Sequence, residues 1–303
     1  MDLPRIVAAP MAGGPTTPAL VNAVSFGFLA LGTCTVEQAR TWLGQCTPPF
    51  GVNLFVPQVE PSLIDVELIA SELGTDVPNV DVTGGFEEKF ELVLEAAPPI
   101  VSSTFGPLDP EHVERLHSVG SEAWVTVTRI EDAREAMGES WNADGVIVQG
   151  PEAGGHRSTW SPLEVPDTRY LDTIVEEVAD FGAPFIAAGG VRGPEDVARL
   201  RDLGASTIAC GTAFLLSDEA GTSQRNRELL RTDRRTVVSK AFSGRWARGL
   251  ENEMTKRYRD MPPIYPYLRP MTKHQDYCLV GKDRGELMEA PAKEIERYLL
   301  GER

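Results

Sequence analysis

The sequence predicts a closed (β/α)8 barrel, and three observations carry that expectation. Short apolar, β-branched runs recur eight times along the 303 residues. Segments with helical periodicity and readable ends lie between them. No Gly-x-Gly-x-x-Gly element marks an open dinucleotide-binding sheet, which leaves the closed barrel as the better solution for eight β/α units.

The strand candidates are Arg5–Ala9, Phe28–Leu31, Gly51–Phe55, Ile100–Thr104, Ala123–Val127, Gly145–Gln149, Pro184–Ala188 and Ser206–Cys210. Their near-continuous apolar character suits parallel strands covered on both faces. Helix signals between them are local and physical. Asp109 stands where a cap belongs, Pro110 fits the first helical position, Val113 and Leu116 form a buried stripe, and Gly120 permits the exit. Pro194, the acidic pair Glu195–Asp196, the stripe Val197, Leu200 and Leu203, and Gly204 repeat that design.

Two stretches break the rhythm. Phe55 to Ile100 is too long for one crossover, and Ser62–Leu73 and Glu87–Ala96 read as helices, so an insertion or lid is expected after the third strand. After Phe214 the β/α alternation stops. Residues 1–216 are therefore expected to form the barrel, and 217–303 a C-terminal helical segment packed on it. Arg231 to Asp260 holds nine Lys/Arg against four Asp/Glu, read here as a solvated face pairing with the acidic barrel rather than as an anion site.

Composition narrows the function class. Lys and Arg number 29 against 45 Asp and Glu, a net charge of −16, which repels nucleic-acid phosphates and anionic membrane surfaces. A small-molecule partner is expected, with neither nucleic acid nor membrane, and a homo-oligomer is left open. The start lacks the charged and apolar regions of a signal peptide. Cys34, Cys46, Cys210 and Cys278 form no Cys-x-x-Cys pair, which suits reduced thiols in the cytoplasm. The four histidines make no metal-ligand spacing, so no metal is expected.

Chemistry is expected where strands end and βα loops begin. The seventh strand candidate runs into Gly189-Gly190, and the eighth into Cys210-Gly211-Thr212. Glycines let backbone amides approach an anion, and the loops after strands seven and eight form the usual phosphate site of this fold. Tight turns alone are the alternative reading of the same glycines. The sixth strand ends in Gln149-Gly150-Pro151-Glu152-Ala153-Gly154-Gly155-His156-Arg157. Gln149 can offer an amide edge to a flavin ring, Gly154 and Gly155 leave room for it, and His156 brings an imidazole to the mouth.

Together these segments resemble the nitronate monooxygenase family. The likeness runs from Ala9-Pro10-Met11-Ala12-Gly13-Gly14 through Gly51–Phe55, Gln149–Arg157, Ala187–Gly190 and Gly211-Thr212 to Ser243-Gly244-Arg245-Trp246-Ala247-Arg248-Gly249. The resemblance implies FMN held without a covalent bond. Met11, Asn53, Gln149, Gly154 and Gly155 would lie at the ring and ribityl chain. Gly189, Gly190, Cys210, Gly211 and Thr212 would lie at the phosphate, and His156 would be catalytic. It implies oxidation of alkyl nitronates, or nitroalkanes, by O2 to a carbonyl compound and nitrite. The alternatives are a flavin-dependent enoyl-acyl-carrier-protein reductase using NAD(P)H, which shares the barrel and a similar Glu-Ala-Gly-Gly-His segment, and a non-catalytic flavin-binding protein of the same fold; the Ser-Gly-Arg-x-Ala-Arg-Gly stretch favours the monooxygenase. The sequence departs from the family pattern at Ala209, where glutamine is usual, and at Ser158, where glycine is usual. The tail after Gly249 matches poorly, with Tyr265 and Tyr267 as candidates to cover the flavin.

Overall fold

The computed structural model describes residues 2–302. Eight parallel strands stand where the apolar runs lie: β1 (Ile6–Ala8), β2 (Phe28–Ala30), β3 (Gly51–Phe55), β4 (Ile100–Thr104), β5 (Glu122–Val127), β6 (Gly145–Gln149), then, past the two-residue β7 (Gly155–His156), β8 (Phe185–Ala188) and β9 (Thr207–Cys210). The hydrogen-bonded order is β1-β9-β8-β6-β5-β4-β3-β2. A parallel bridge from Ala8 to Gly27, with Ala8 N donating to Phe26 O at 2.9 Å, brings the first strand back to the second. The ring is thereby closed.

Alternation along these strands decides what fills the barrel and what faces the helices. Val7, Phe28, Ile100, Trp124, Ile147, Ile186 and Ala209 pack together as the interior. Their neighbours Val52, Leu54, Val146, Val148 and Ile208 join the clusters shared with the helices. Towards the C-terminal ends the inward positions become polar, at Asn53, Ser102, Thr104, Thr126 and Gln149. Period-two alternation thus places an apolar plug below and a hydrogen-bonding floor above it.

The helices are α1 (Pro18–Ala23), α2 (Val36–Leu43), α3 (Leu63–Leu73), α4 (Phe86–Ala96), α5 (Pro110–Ser118), α6 (Ile130–Ala136), α7 (Leu171–Phe181), α8 (Pro194–Asp202), α9 (Gln224–Leu230), α10 (Glu253–Arg257), α11 (Leu268–Met271) and α12 (Ala292–Leu299). In α5 the expected apolar stripe and Pro110 are in place, but Asp109 makes no side-chain cap bond. Of the two helices in the long third crossover, α4 packs on α2 and β3 as a barrel helix, whereas α3 packs on α11. The insertion after β3 is therefore α3 and its flanking loops.

The segment after residue 216, expected to be helical, holds α9 to α12 and in addition two strands, β10 (Thr236–Ser239) and β11 (Ala247–Leu250). These form an antiparallel sheet in the order β10-β11-β7. The segment closes with α12 packed against α1 and α8, where the Glu296 carboxylate accepts from Ser25 N at 3.0 Å. So α12 lies in the helix ring, while residues between β9 and α12 cover the mouth. The basic run pairs differently from expectation: Arg231 meets Glu289, Arg234 meets Asp276 and Arg235 meets Glu251, all within this segment rather than on the barrel. Arg245 and Arg248 turn inward instead, Arg245 donating to Gln58 and Thr159 and Arg248 to Pro151 O at 2.8 Å.

Candidate functional site

The site forms at the C-terminal ends of the strands. Gly189 and Gly190 leave β8 with φ of 124° and 68°, conformations open to glycine and costly for other residues. A Cβ on Gly189 would lie 3.0 Å from Ala153 N, and one on Gly190 would lie 3.2 Å from Glu152 Cβ. Both glycines therefore face the β6–β7 loop closely. On the adjacent strand end, Gly211 sits beside Met11, whose Sδ would be 3.6 Å from an added Cβ. Thr212 begins a short 3-10 turn, and its hydroxyl oxygen accepts from Gly281 N at 2.9 Å. Met11, Gly154, Gly189, Gly190, Gly211 and Thr212 are thus gathered around one end of the barrel. Gly281 belongs with them and was not visible from spacing alone. Close-set glycines beside a threonine hydroxyl are groups that could serve a phosphomonoester.

Cys210 stands apart from that group. Its side chain points into the helix layer, where burial pushes the thiol up to about 12. Strand alternation explains the difference: Ala209 faces inward, so its neighbour faces out. The Cys210 carbonyl accepts from Ala9 N at 2.9 Å and so is committed to the backbone. All four thiols are free, Cys34 and Cys46 half-buried and Cys210 and Cys278 buried.

Gln149 and Asn53 act on the protein itself. Gln149 Nε2 donates to His156 O at 2.8 Å, and its Oε1 accepts from Ser158 N at 3.1 Å. Both ends of the amide hold the loop that carries His156. Asn53 Nδ2 donates to Ser102 Oγ at 3.0 Å and Thr104 Oγ1 at 3.1 Å, joining β3 to β4. Ser158, where the sequence departs from the family pattern, adds another tie. Its hydroxyl donates to Thr126 O at 2.9 Å and accepts from Phe105 N at 3.0 Å.

His156 lies at the wall of a cavity of about 330 Å³. Its Nε2 is 2.7 Å from Ser243 Oγ, and the rings of Phe55, Phe105 and Tyr265 surround it edge-on at 5.6–6.0 Å. Burial pushes the imidazole down to about 3, helped by the positive charge of Arg245. At neutral pH it is therefore a neutral base. The cation here is Arg245, 1% exposed, with its guanidinium 4.1 Å from the Phe105 ring centre. It donates to Gln58 Oε1 and to the carbonyl of Thr159, and makes no ion pair among the described residues.

Of the two tyrosines proposed as covers, Tyr265 lines the cavity and burial raises its phenol to about 12. Tyr267 does not. It packs with Met261, Ile264 and Leu268 in a separate core between α3 and the C-terminal segment. Ser243 and Arg245 were within a quoted motif but had no assigned role, and Lys89, Phe105 and Tyr277 gave no local signal. Among the described residues, no group of three or more His, Cys, Asp or Glu could hold a metal ion. No helix among them is long and apolar enough to cross a membrane.

Comparison with known proteins agrees with this geometry. The family model described as nitronate monooxygenase matches residues 2–290. A nitronate monooxygenase of Pseudomonas aeruginosa is 32% identical, over 98% of this chain and 95% of its own. A probable nitronate monooxygenase of Staphylococcus saprophyticus is 34% identical, over 88% of this chain and 82% of its own. Among solved structures, a nitroalkane oxidase from Streptomyces ansochromogenes superposes with a TM-score of 0.86 at 32% identity, covering 99% of this chain and 95% of that one. FabK from Thermotoga maritima superposes at 0.73 with 24% identity, over 98% and 92%, which speaks for the fold alone.

Proposed function

Because the chain belongs to the nitronate monooxygenase family, and is accordingly a flavin-dependent oxidoreductase, we propose that it uses FMN and O2 to oxidise alkyl nitronates to a carbonyl compound and nitrite. The observation that carries this reading is the pairing of two features at one barrel end. A glycine-lined phosphate cradle at Gly189, Gly190, Gly211 and Thr212 adjoins a loop whose last residue, His156, is a neutral base facing a cavity.

When bound, FMN supplies the electron acceptor for the substrate and passes electrons on to O2. Its phosphate would be held by the backbone amides of Gly190 and Gly211 and by the hydroxyl of Thr212, and its ring would lie over Met11 and the β6 end. Gln149 fixes the path of residues 156–158, so the imidazole is held before substrate arrives. A nitronate arrives already deprotonated and asks nothing of a base. A neutral nitroalkane must lose a carbon proton, and a neutral His156 can take it on the ring nitrogen that Ser243 leaves free, with the Ser243 bond at Nε2 orienting the ring. Arg245 supplies fixed positive charge near the anion. Phe55, Phe105 and Tyr265 exclude water around that proton position. The free thiols support a reducing compartment, the cytoplasm.

Anaerobic mixing tests the reading. The purified protein should be yellow, release FMN rather than FAD on denaturation, and lose flavin colour on addition of a nitronate. Loss of colour with NADPH and not with a nitronate would select the enoyl reductase reading instead.

A further inference from the structure

The cavity beside His156 is walled by two cations, Lys89 and Arg269, that make no ion pair among the described residues, although Asp81 acts on Lys89 through space. Lys89, carried by α4, is 2% exposed, and its Nζ donates to Leu31 O at 2.9 Å. That bond uses one of three ammonium protons, and no carboxylate lies within ion-pair reach among the described residues. Asp81 is the one acid on the cavity wall, and its oxygens are engaged by its own loop: Thr83 Oγ1 at 2.7 Å, Thr83 N at 2.9 Å and Gly85 N at 2.8 Å. Arg269 is held by stacking on Tyr277 at 4.0 Å and by a bond from Nη1 to Thr272 O at 3.3 Å, again without an acid.

Elsewhere in the same C-terminal segment four exposed arginines are paired with acids, while Arg227, Arg248 and Arg284 are held by carbonyl oxygens instead. Arg225, Arg231, Arg234 and Arg235 each meet a carboxylate at 2.5–2.9 Å. In a chain of net charge −16 acids are plentiful, so unpaired cations around one cavity call for an explanation. Burying a charge without a partner is costly unless a partner arrives. A small anion entering the cavity is that partner.

We infer that Lys89 and Arg269 form an anion-recognition element, and that Lys89 makes the site bind the organic oxyanion more tightly than its neutral parent. The inference rests on the nitronate reading of the site. A nitronate presents a planar, charge-delocalised NO2 group, and nitrate presents the same shape and charge without a reacting carbon. Lys89 acts on binding and not on the proton that His156 handles, so its loss changes KM and leaves kcat near its original value.

The test uses the flavin-loaded protein and sodium nitrate at low ionic strength, followed by calorimetric titration, beside steady-state kinetics on a nitronate and its freshly dissolved nitroalkane. Lys89→Met should weaken nitrate binding and raise the nitronate KM by about tenfold or more, the loss of roughly one good charge-assisted bond. Binding of the neutral nitroalkane should be unchanged, and Lys89→Arg should restore nitrate binding. Unchanged nitrate affinity in Lys89→Met, or an equal loss for nitrate and the neutral compound, overturns the inference. If Lys89→Met does not fold, Arg269→Gln decides by the same titration, and wild-type nitrate affinity there overturns it. Nitrate binding that depends on Lys89 in a protein that oxidises no nitronate would sink the oxidation reading and leave the anion site standing. Turnover of nitronates with a KM indifferent to Lys89 would do the reverse.

Discussion

His156 Nε2 and Ser243 Oγ lie 2.7 Å apart, and the backbones that carry them are paired as well. The short β7 runs antiparallel to β11, with His156 opposite Ala247. The loop after the sixth barrel strand and the C-terminal segment therefore meet twice, through a ladder and through a side-chain bond. Neither element alone presents a fixed imidazole.

From this contact a graded pair of effects is expected. Ser243→Ala removes one hydrogen bond, about 0.5–1.5 kcal/mol, and should lower nitroalkane turnover by up to about tenfold. His156→Ala removes the base and should lower it by roughly 10²–10⁴-fold while flavin stays bound. On a preformed nitronate both losses should shrink, because no proton is removed. Oxygen consumption with flavin content normalised by absorbance reads all four numbers. Equal activity of His156→Ala and wild type on every reactive substrate would make His156 a structural loop residue.

The depressed imidazole has a consequence for stability. An unfolded histidine binds its proton below about pH 6.5, whereas folded His156 refuses it until about pH 3. Through that window the unfolded chain binds more protons, so stability is full above about pH 6.5 and falls as pH drops, by at most about 1.4 kcal/mol per unit. His156→Gln lacks this term. Urea unfolding at pH 7 and pH 5 should show a larger drop for wild type than for His156→Gln. Parallel drops would mean that the imidazole is not held neutral.

Gly154 tests how tightly the C-terminal segment is seated. A Cβ there would lie 2.5 Å from both Val280 C and Gly281 N, which are backbone atoms that cannot rotate away. Gly281 N also bonds to Thr212, so a displaced 280–282 segment would disturb the cradle. Gly154→Ala should cost about 1–3 kcal/mol and weaken FMN retention together. Thermal unfolding beside flavin absorbance checks both. Gly155→Ala is the steric control: its Cβ meets nothing within 4 Å, and its positive φ adds only backbone strain.

Much of the barrel was legible in sequence because its signals are local. The eight apolar runs coincide with eight strands, and Pro110, Pro194 and the stripes Val113–Leu116 and Val197–Leu200 sit where helix physics requires. The glycines at the ends of β8 and β9 were legible for the same reason. What escaped was long-range. Strands β10 and β11 pair with each other but join the barrel only where β7 folds back on β11, and Arg245 reads as one more basic residue until Phe105 and Gln58 enclose it. Cys210 was placed at the phosphate by adjacency, yet strand alternation turns it away from its neighbours. Lys89 belongs to a helix face in sequence and to the cavity only in space.

Gly211 offers a clean separation of charge from shape in the phosphate cradle. Its φ is −106°, which any residue adopts, and an added Cβ would be 3.6 Å from Ala9 Cβ and from Met11 Sδ, an ordinary contact. Gly211→Ala should therefore fold and stay yellow. Gly211→Asp fits the same space but sets a carboxylate where the FMN phosphate needs backbone donors, so it should fold and lose the flavin. The expected result is a colourless protein with a wild-type circular dichroism spectrum that added FMN does not reconstitute. If Gly211→Asp retains stoichiometric FMN at normal affinity, the phosphate lies elsewhere, and the assignment of Gly189, Gly190 and Thr212 to it falls with that of Gly211.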